Sequence, residues 1–294
     1  MWKERWFYVL LLPGLVYFIL FKYLPMWGIV MAFQNYQPFV GIWKSKWVGL
    51  QHFEYFFNEP DFWMLLRNTL YIALLDLVVF FPITIVLALL LNEVRKELFK
   101  RFVQTMVYIP HFVSWVVIVG ISYTFLTTEG GILNDLFASF GWEKVNFLMS
   151  EFWFRPLIIT QLIWKDAGWG TIIFLAALAG IDPSLYESSR LDGANRFQQM
   201  LHITIPSIRS VIVILLILRL GNFLDLGFEQ IFLMLNALNR EVGEVFDTYV
   251  YVVGIQQGQF SYSAAVGLFK SVVGLVLVMG ANTLAKKFGE EGIY

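Results

Sequence analysis

The sequence predicts an all-α membrane protein with six transmembrane helices, and three observations predict it. The chain of 294 residues is 58% hydrophobic and 18% aromatic with only 15% charged residues. Its mean hydropathy of +0.66 is too apolar for a water-soluble domain. Six apolar segments each reach the ~20 residues needed to cross about 30 Å of hydrocarbon. Finally, Lys and Arg fall unequally on the connections between those segments, as they do in chains oriented by the positive-inside rule.

The first segment, Trp6–Phe33, follows a short basic lead in MWKERW. It lacks a small-residue cleavage site and is long enough to span, so it reads as a retained helix. The connection 34–68 carries Trp43, Trp47, Phe53, Tyr55, Phe56 and Phe57, amphipathic aromatics of the kind that settle at a membrane interface. Contact with a delivered ligand is the other reading of these rings. The remaining spans are Thr69–Leu91, Thr105–Leu126, Pro156–Ile181, Ile208–Glu229 and Ala264–Leu284. An even number places both termini on one side. With the termini inside, the cytoplasmic set is Lys3, Arg5, Arg95, Lys96, Lys100, Arg101, Arg190, Arg196, Arg209, Lys286 and Lys287, eleven in all. The outer set is Lys44, Lys46, Arg67, Lys144, Arg155 and Arg240, which is six. The charge count therefore predicts cytoplasmic termini and a cytoplasmic loop at 182–206. No linker, low-complexity tract or internal repeat is visible, so residues 1–294 read as one transmembrane domain.

That loop, DPSLYESSRLDGANRFQQMLHITIP, is polar and has helical grammar. Asp182 can accept from free N–H groups at a helix start, and Pro183 suits the first helical position. Gly193 permits a sharp break. Asn195 with Gln198 three residues on resembles a capping box opening a second helix, whose Phe197, Met200 and Leu201 share one apolar side. Two short helices meeting at a glycine are expected at about 182–205.

The pattern resembles the coupling loop of ATP-binding-cassette (ABC) importer permeases, whose motif runs Glu-Ala-Ala, three residues, Gly, then Ile-x-x-Pro. Glu187, Ser188, Ser189, Gly193, Ile203 and Pro206 hold those places, with two serines where the family has alanines. Further stretches, FKYLPMWGI, WVGLQHFEYFF, IWKDAGWGTIIFLAALAGIDPSLYE, LGFEQIFLMLN and DTYVYVVGIQQGQFSYSAAVGLFKS, are similar to the LplB-like, maltose-type carbohydrate permeases. That subgroup includes importers of alginate and rhamnogalacturonan oligosaccharides. Ala237 stands where the subgroup's proline is expected after Asn236. The resemblance implies a type I (MetI-like) importer permease fold in the bacterial plasma membrane. It also implies a second homologous permease subunit, two ATPase subunits and an extracytoplasmic solute-binding protein as partners. Glu187 would be the acidic contact to the ATPase, with Ser188, Ser189, Asp192, Gly193 and Ala194 forming the rest of the docked surface. The cargo would be oligosaccharides or polysaccharide fragments, acidic ones among them.

Elementary chemistry narrows the remaining classes. No Gly-x-x-x-x-Gly-Lys-Ser/Thr loop is present, so ATP and Mg are expected on the partner ATPase and no cofactor on this chain. No HExxH or GxSxG arrangement supports an enzyme. The chain has no cysteine, and its histidines His52, His111 and His202 are too scattered to suggest a metal site. A net charge of -1 points to no nucleic-acid partner.

Ionisable residues inside the spans are Lys22, Asp76, Lys165, Asp166, Arg219 and Lys270. A charge in hydrocarbon costs at least ~2.5–3.5 kcal/mol, so such residues face a cavity or a partner. Counting along the helices puts Asp76, Lys165 and Lys270 roughly 9–14 Å below the outer surface, with Lys22 also in the outer half. Mutual ion pairing or snorkelling and a substrate role both remain open. Trp164 and Trp169, beside Lys165 and Asp166, and Asn222, beside Arg219, complete the candidate substrate pathway. The rival from another class is an ion-coupled secondary sugar carrier using Asp76 and Asp166. The broken helices and inverted repeats typical of such carriers give no signal in the sequence. A scaffold subunit contributing little to binding is a third reading.

Overall fold

Prolines and small polar residues decide where the helices of this chain bend. The computed structural model describes residues 5–287, with side chains from residue 7 onward. Lys3, counted toward orientation, lies outside the described residues, and Arg5 has no described side chain. Internal packing divides the chain into two compact units, residues 1–62 with 249–272, and residues 63–248 with 273–294.

The first unit contains α1 (Phe7–Phe33), none of whose apolar window is buried. Its α-helical ladder gives way to a π-helical turn at Ile19–Tyr23 and a 3-10 stretch from Leu24. Pro25, in the first turn of that stretch, has no N–H to continue the ladder. A small antiparallel hairpin follows, β1 (Gln34–Asn35) against β2 (Lys46–Trp47), then α2 (Gln51–Asn58). Phe56 is fully buried and its ring lies 5.0 Å from Phe62, 6.3 Å from Tyr262 and 5.2 Å from Phe269. This aromatic cluster is the unit's core.

The second unit is built from α3 (Phe62–Glu93, from Trp63 onward), α4 (Glu97–Phe112), α5 (Trp115–Leu126) and α6 (Ile132–Ser139). The chain continues through α7 (Glu151–Ala179), α8 (Pro183–Leu191), α9 (Arg196–Ser207) and α10 (Arg209–Gly221). Short helices α11 (Phe228–Met234), α12 (Arg240–Gly243) and α13 (Phe246–Val250) precede α14 (Phe260–Lys287), which runs on from the first unit. One core cluster joins Ile72, Val119, Phe154, Ile158, Ile231 and Met234, and another joins Phe81, Ala88, Phe174, Leu178 and Ile208. Where lipid replaces water, such contacts hold helices together by close packing rather than by the hydrophobic effect. Gly168 shows how close. A Cβ there would lie 2.0 Å from the Val107 carbonyl oxygen, so α4 can reach α7 only across a residue with no side chain.

Among the described residues, four helices are long and apolar enough to cross a membrane, or six if each of two bent pairs is one span. The four are Phe7–Phe33, Phe62–Glu93, Glu151–Ala179 and Phe260–Lys287, each overlapping a predicted segment. The third predicted segment, Thr105–Leu126, is corrected: α4 and α5 meet at 101°. Pro110 withholds an N–H from the last turn of α4, and Ser114 takes an extended backbone to cap α5, accepting from the Val117 N–H at 3.4 Å. The fifth, Ile208–Glu229, is also corrected. Its helix ends at Gly221, and α11 restarts at Phe228. The 13 residues of α10 rise only ~20 Å, so α10 spans only together with α9, from which it bends by 60° just after Pro206. Broken helices are thus present that hydropathy alone did not reveal.

Candidate functional site

The bent loop folds as its local grammar dictates. The Asp182 carboxylate accepts from the Ser184 N–H at 2.9 Å, with Pro183 opening α8. That same N–H holds the carboxyl below its ordinary pKa. At the other end of α8, Gly193 adopts φ +82°. The Ala194 N–H bonds the Ser189 carbonyl at 2.9 Å and the Gly193 N–H bonds the Arg190 carbonyl at 3.1 Å. These two bonds define a Schellman closure, which needs a left-handed residue at the glycine. Asn195 and Gln198 then exchange both hydrogen bonds of a capping box, at 2.9 and 2.8 Å, to start α9.

Cross-braces fix the angle between the two short helices. Gln199, 4% exposed, donates to the Ser189 hydroxyl at 3.0 Å and to the Tyr186 carbonyl at 3.5 Å. The Tyr186 hydroxyl meets Thr204 Oγ1 at 3.0 Å. Arg196 pairs with Glu93 at the end of α3 at 3.1 Å. Ser189 therefore faces inward as a brace, while Glu187, Ser188, Asp192 and Gly193 stand exposed. Around them Leu191 is 90% and Phe197 63% exposed. A rigid bent element with acidic and apolar groups on its outer surface can bear a load transmitted from a docked partner.

The charges within the helices of the second unit take different kinds of partner. Arg219 grips Asp76 through two hydrogen bonds, Nε to Oδ2 at 2.7 Å and Nη2 to Oδ1, with its guanidinium 4.4 Å from the Phe80 ring. This pair lines a cavity of about 410 Å³ with Asn222, Thr84 and Asp225, and a smaller one of about 170 Å³ with Arg155 and Gln230. Asp76 opens a π-helical turn that ends just before Pro82, so the carboxylate is presented where the helical ladder is already irregular.

Lys165 does something different. Its ammonium, 8% exposed, donates to the carbonyls of His111 and Val113, both at 2.6 Å, and lies 5.5 Å from the Trp115 ring. Those carbonyls sit at the break between α4 and α5, so Lys165 supplies the donors that the broken helix lost. Asp166 bonds the His111 ring at 2.7 Å, and that ring stacks on Trp169 at 4.3 Å. Trp164 lines a separate apolar cavity of about 340 Å³ between α3, α4 and α7. In the first unit Lys22 is exposed on α1 and Lys270 is buried.

Uncharged amides carry a network that sequence reasoning missed. Gln230 donates to the Ile158 carbonyl at 2.8 Å and to Gln161 Oε1 at 3.0 Å, and Gln161 donates to the Ser122 hydroxyl at 2.7 Å. A glutamine within an apolar span was the available signal. The departure at Ala237 is absorbed locally: Asn236 Oδ1 accepts from the N–H groups of Leu238 and Asn239, at 3.0 and 3.3 Å.

Residues 80–289 match the family of binding-protein-dependent transport system inner membrane components. The chain belongs to that family. Along 99% of its length it is 62% identical to a Bacillus subtilis polygalacturonan/rhamnogalacturonan transport system permease, YteP, covering 91% of that protein. It is 58% identical to B. subtilis protein LplB over the same share, covering 92% of it. Among solved structures, a bacterial alginate ABC transporter in complex with an alginate pentasaccharide-bound periplasmic protein contains a chain superimposing with a TM-score of 0.91. That chain is 38% identical, with 99% of this chain and 97% of that one covered. The permease therefore has the type I importer fold. It is a multi-pass membrane subunit of an ABC importer rather than an enzyme, and the ion-coupled carrier reading gives way.

Proposed function

We propose that this permease is one of two homologous membrane subunits of an ATP-driven importer of oligosaccharides or polysaccharide fragments, acidic galacturonate-containing chains among them. The carrying observation is the 62% identity, over 99% of the chain, to a polygalacturonan/rhamnogalacturonan permease. In this reading six spans cross the bacterial plasma membrane with both termini and the α8–α9 loop in the cytoplasm. Two ATPase subunits hold ATP and Mg, an extracytoplasmic solute-binding protein delivers cargo, and the chain itself binds no cofactor.

Glu187, Ser188, Asp192, Gly193 and Ala194 meet the ATPase, and Ser189 sets the loop's angle from within. When ATP binding closes the ATPase dimer, the braced loop moves with it as one body and α10 follows. Arg219 near the far end of α10 grips Asp76, so that motion reaches the wall of the 410 Å³ cavity. Asp76, Arg219 and Asn222 line the substrate path there. Lys165, Asp166, Trp164 and Trp169, and separately Lys22 and Lys270 of the first unit, keep the pathway role expected of their charge and ring chemistry. Lys165 acts in it chiefly by holding the α4–α5 bend.

The test is uptake of labelled galacturonate oligosaccharides into proteoliposomes holding the permease with its second subunit, ATPase and binding protein. Accumulation that requires ATP and the binding protein supports the reading. Uptake by the lone chain on an ion gradient would overturn it.

A further inference from the structure

The first unit holds a cavity that the importer mechanism leaves unused. It measures about 730 Å³ and is walled by one face of α2 and its C-cap, from His52 to Glu59, the hairpin, Tyr249 and Val253, the turn at Gln257–Gln259 and the first residues of α14. That volume lies within the ~300–1,000 Å³ typical of small-molecule sites. Both of its walls, 35–59 and 249–262, come from connections that the Lys/Arg count places on the outer face.

We propose that this cavity is a saccharide subsite at the outer mouth of the permease, holding a pyranose unit of the oligosaccharide before it enters the membrane. The inference rests on the importer function proposed above. Tyr249 and Tyr262 are buried, with their hydroxyls 3.4 Å apart. Tyr36 and Phe260 pack edge to face at 6.2 Å, and the Tyr36 N–H donates to the Ser261 hydroxyl at 2.9 Å, fixing the hairpin against α14. Aromatic faces of this kind suit the C–H face of a sugar ring.

The polar groups complete the argument. The carboxamides of Asn35, Gln257 and Gln259 line the cavity and make no side-chain hydrogen bond among the described residues. A carboxamide offers both donors and an acceptor, which is what a hydroxyl-rich ligand needs and an ion does not. Among the described residues Glu59 is the cavity's one carboxylate and no Lys or Arg lines it, so it takes an uncharged, hydroxyl-bearing ring of the chain, such as a rhamnose, over a uronate, phosphate or sulfate. A binding subsite on the outer connections makes the grip on cargo depend on chain length.

The Gln257→Ala/Gln259→Ala variant tests this, because both side chains are exposed and unbonded and their loss leaves the fold intact. Uptake of a rhamnogalacturonan pentasaccharide, which carries uncharged rhamnose units, and of a disaccharide is measured with the complete complex, alongside capture of the sugar-free binding protein. The expected result is a KM for the pentasaccharide raised about tenfold, the effect of losing two ordinary hydrogen bonds, with disaccharide uptake and binding-protein capture unchanged. An unchanged pentasaccharide KM would overturn the subsite while leaving the importer function standing. Weakened capture with both sugars affected equally would also overturn it, assigning the cavity to docking of the binding protein. A wild-type complex importing neither sugar would overturn both the subsite and the function on which it rests.

Discussion

Replacing Lys165 by Met keeps the side-chain length and removes the ammonium, which separates two roles that the residue could play. In the structure the ammonium donates at 2.6 Å to each of two carbonyls at a 101° break between helices. Hydrogen bonds from a charged donor contribute ~1.5–3 kcal/mol each, so two contribute roughly 3–6 kcal/mol. Methionine also escapes the solvation cost of a buried ammonium, which places the net loss near the lower end, at about 3 kcal/mol. With ~2–4 °C per kcal/mol for a protein of this size, the variant's Tm falls by roughly 6–12 °C. Thermal unfolding of the purified complex reads that shift, and uptake kinetics read the function beside it. Lys165→Gln, which keeps an N–H donor, recovers part of the loss. A Lys165→Met complex with wild-type Tm and a raised KM would refute the capping argument and leave a direct grip on substrate.

Gly193→Pro forces φ to about −65° where the chain needs +82°, so ATP hydrolysed per sugar imported rises severalfold. Gly193→Ala meets open space and costs only ~1–2 kcal/mol in backbone strain. A double-mutant cycle on Asp76→Leu and Arg219→Leu gives a coupling energy of ~1–3 kcal/mol in complex stability, because each single change strands the other charge; additive losses would refute the pairing. Asp182 has its carboxyl held below the ordinary value, so its cap contributes above the unfolded pKa near ~3.9 and is lost as pH falls through the lower folded value. The protection factor of the Ser184 amide, its exchange rate divided into the intrinsic rate at each pH, falls on acidification in the wild type, and Asp182→Asn removes that dependence.

What was legible in the sequence was what is local. Asp182, Pro183, Gly193 and the Asn195–Gln198 pair each act on backbone groups within a few residues, so their spacing alone specifies two short helices and a bend. The apolar lengths at 7–33, 62–93, 151–179 and 260–287 were readable for the same reason. Breaks after Phe112 and Gly221 were hidden because hydropathy sums over a window and is blind to a missing N–H. Pro110 followed by Ser114 was the signal, and it lay inside an apolar run long enough to conceal it. Partners distant in sequence were less legible still. Asp76 and Arg219 stand 143 residues apart, and nothing in spacing says that they meet while Lys165 turns to the backbone.

That contrast separates the intramembrane charges by cause. A backbone carbonyl freed in a low-dielectric interior must find a donor, because no water is there to serve it. Lys165 meets that demand at the α4–α5 break, and its charge is explained before any substrate is considered. Asp76 is different: its carboxylate is bound by a side chain, beside a cavity, at a π-helical turn that Pro82 makes necessary. A buried ion pair stabilises little relative to apolar residues of equal volume, so stability does not account for Asp76 and Arg219. Their position does. They join α10, which begins at the bent loop, to the irregular turn of α3, and they form the cavity wall between the two. A charge that answers a broken backbone is accounted for by the scaffold, whereas the Asp76–Arg219 pair, which joins two helices at a cavity, is accounted for by the transport path proposed above.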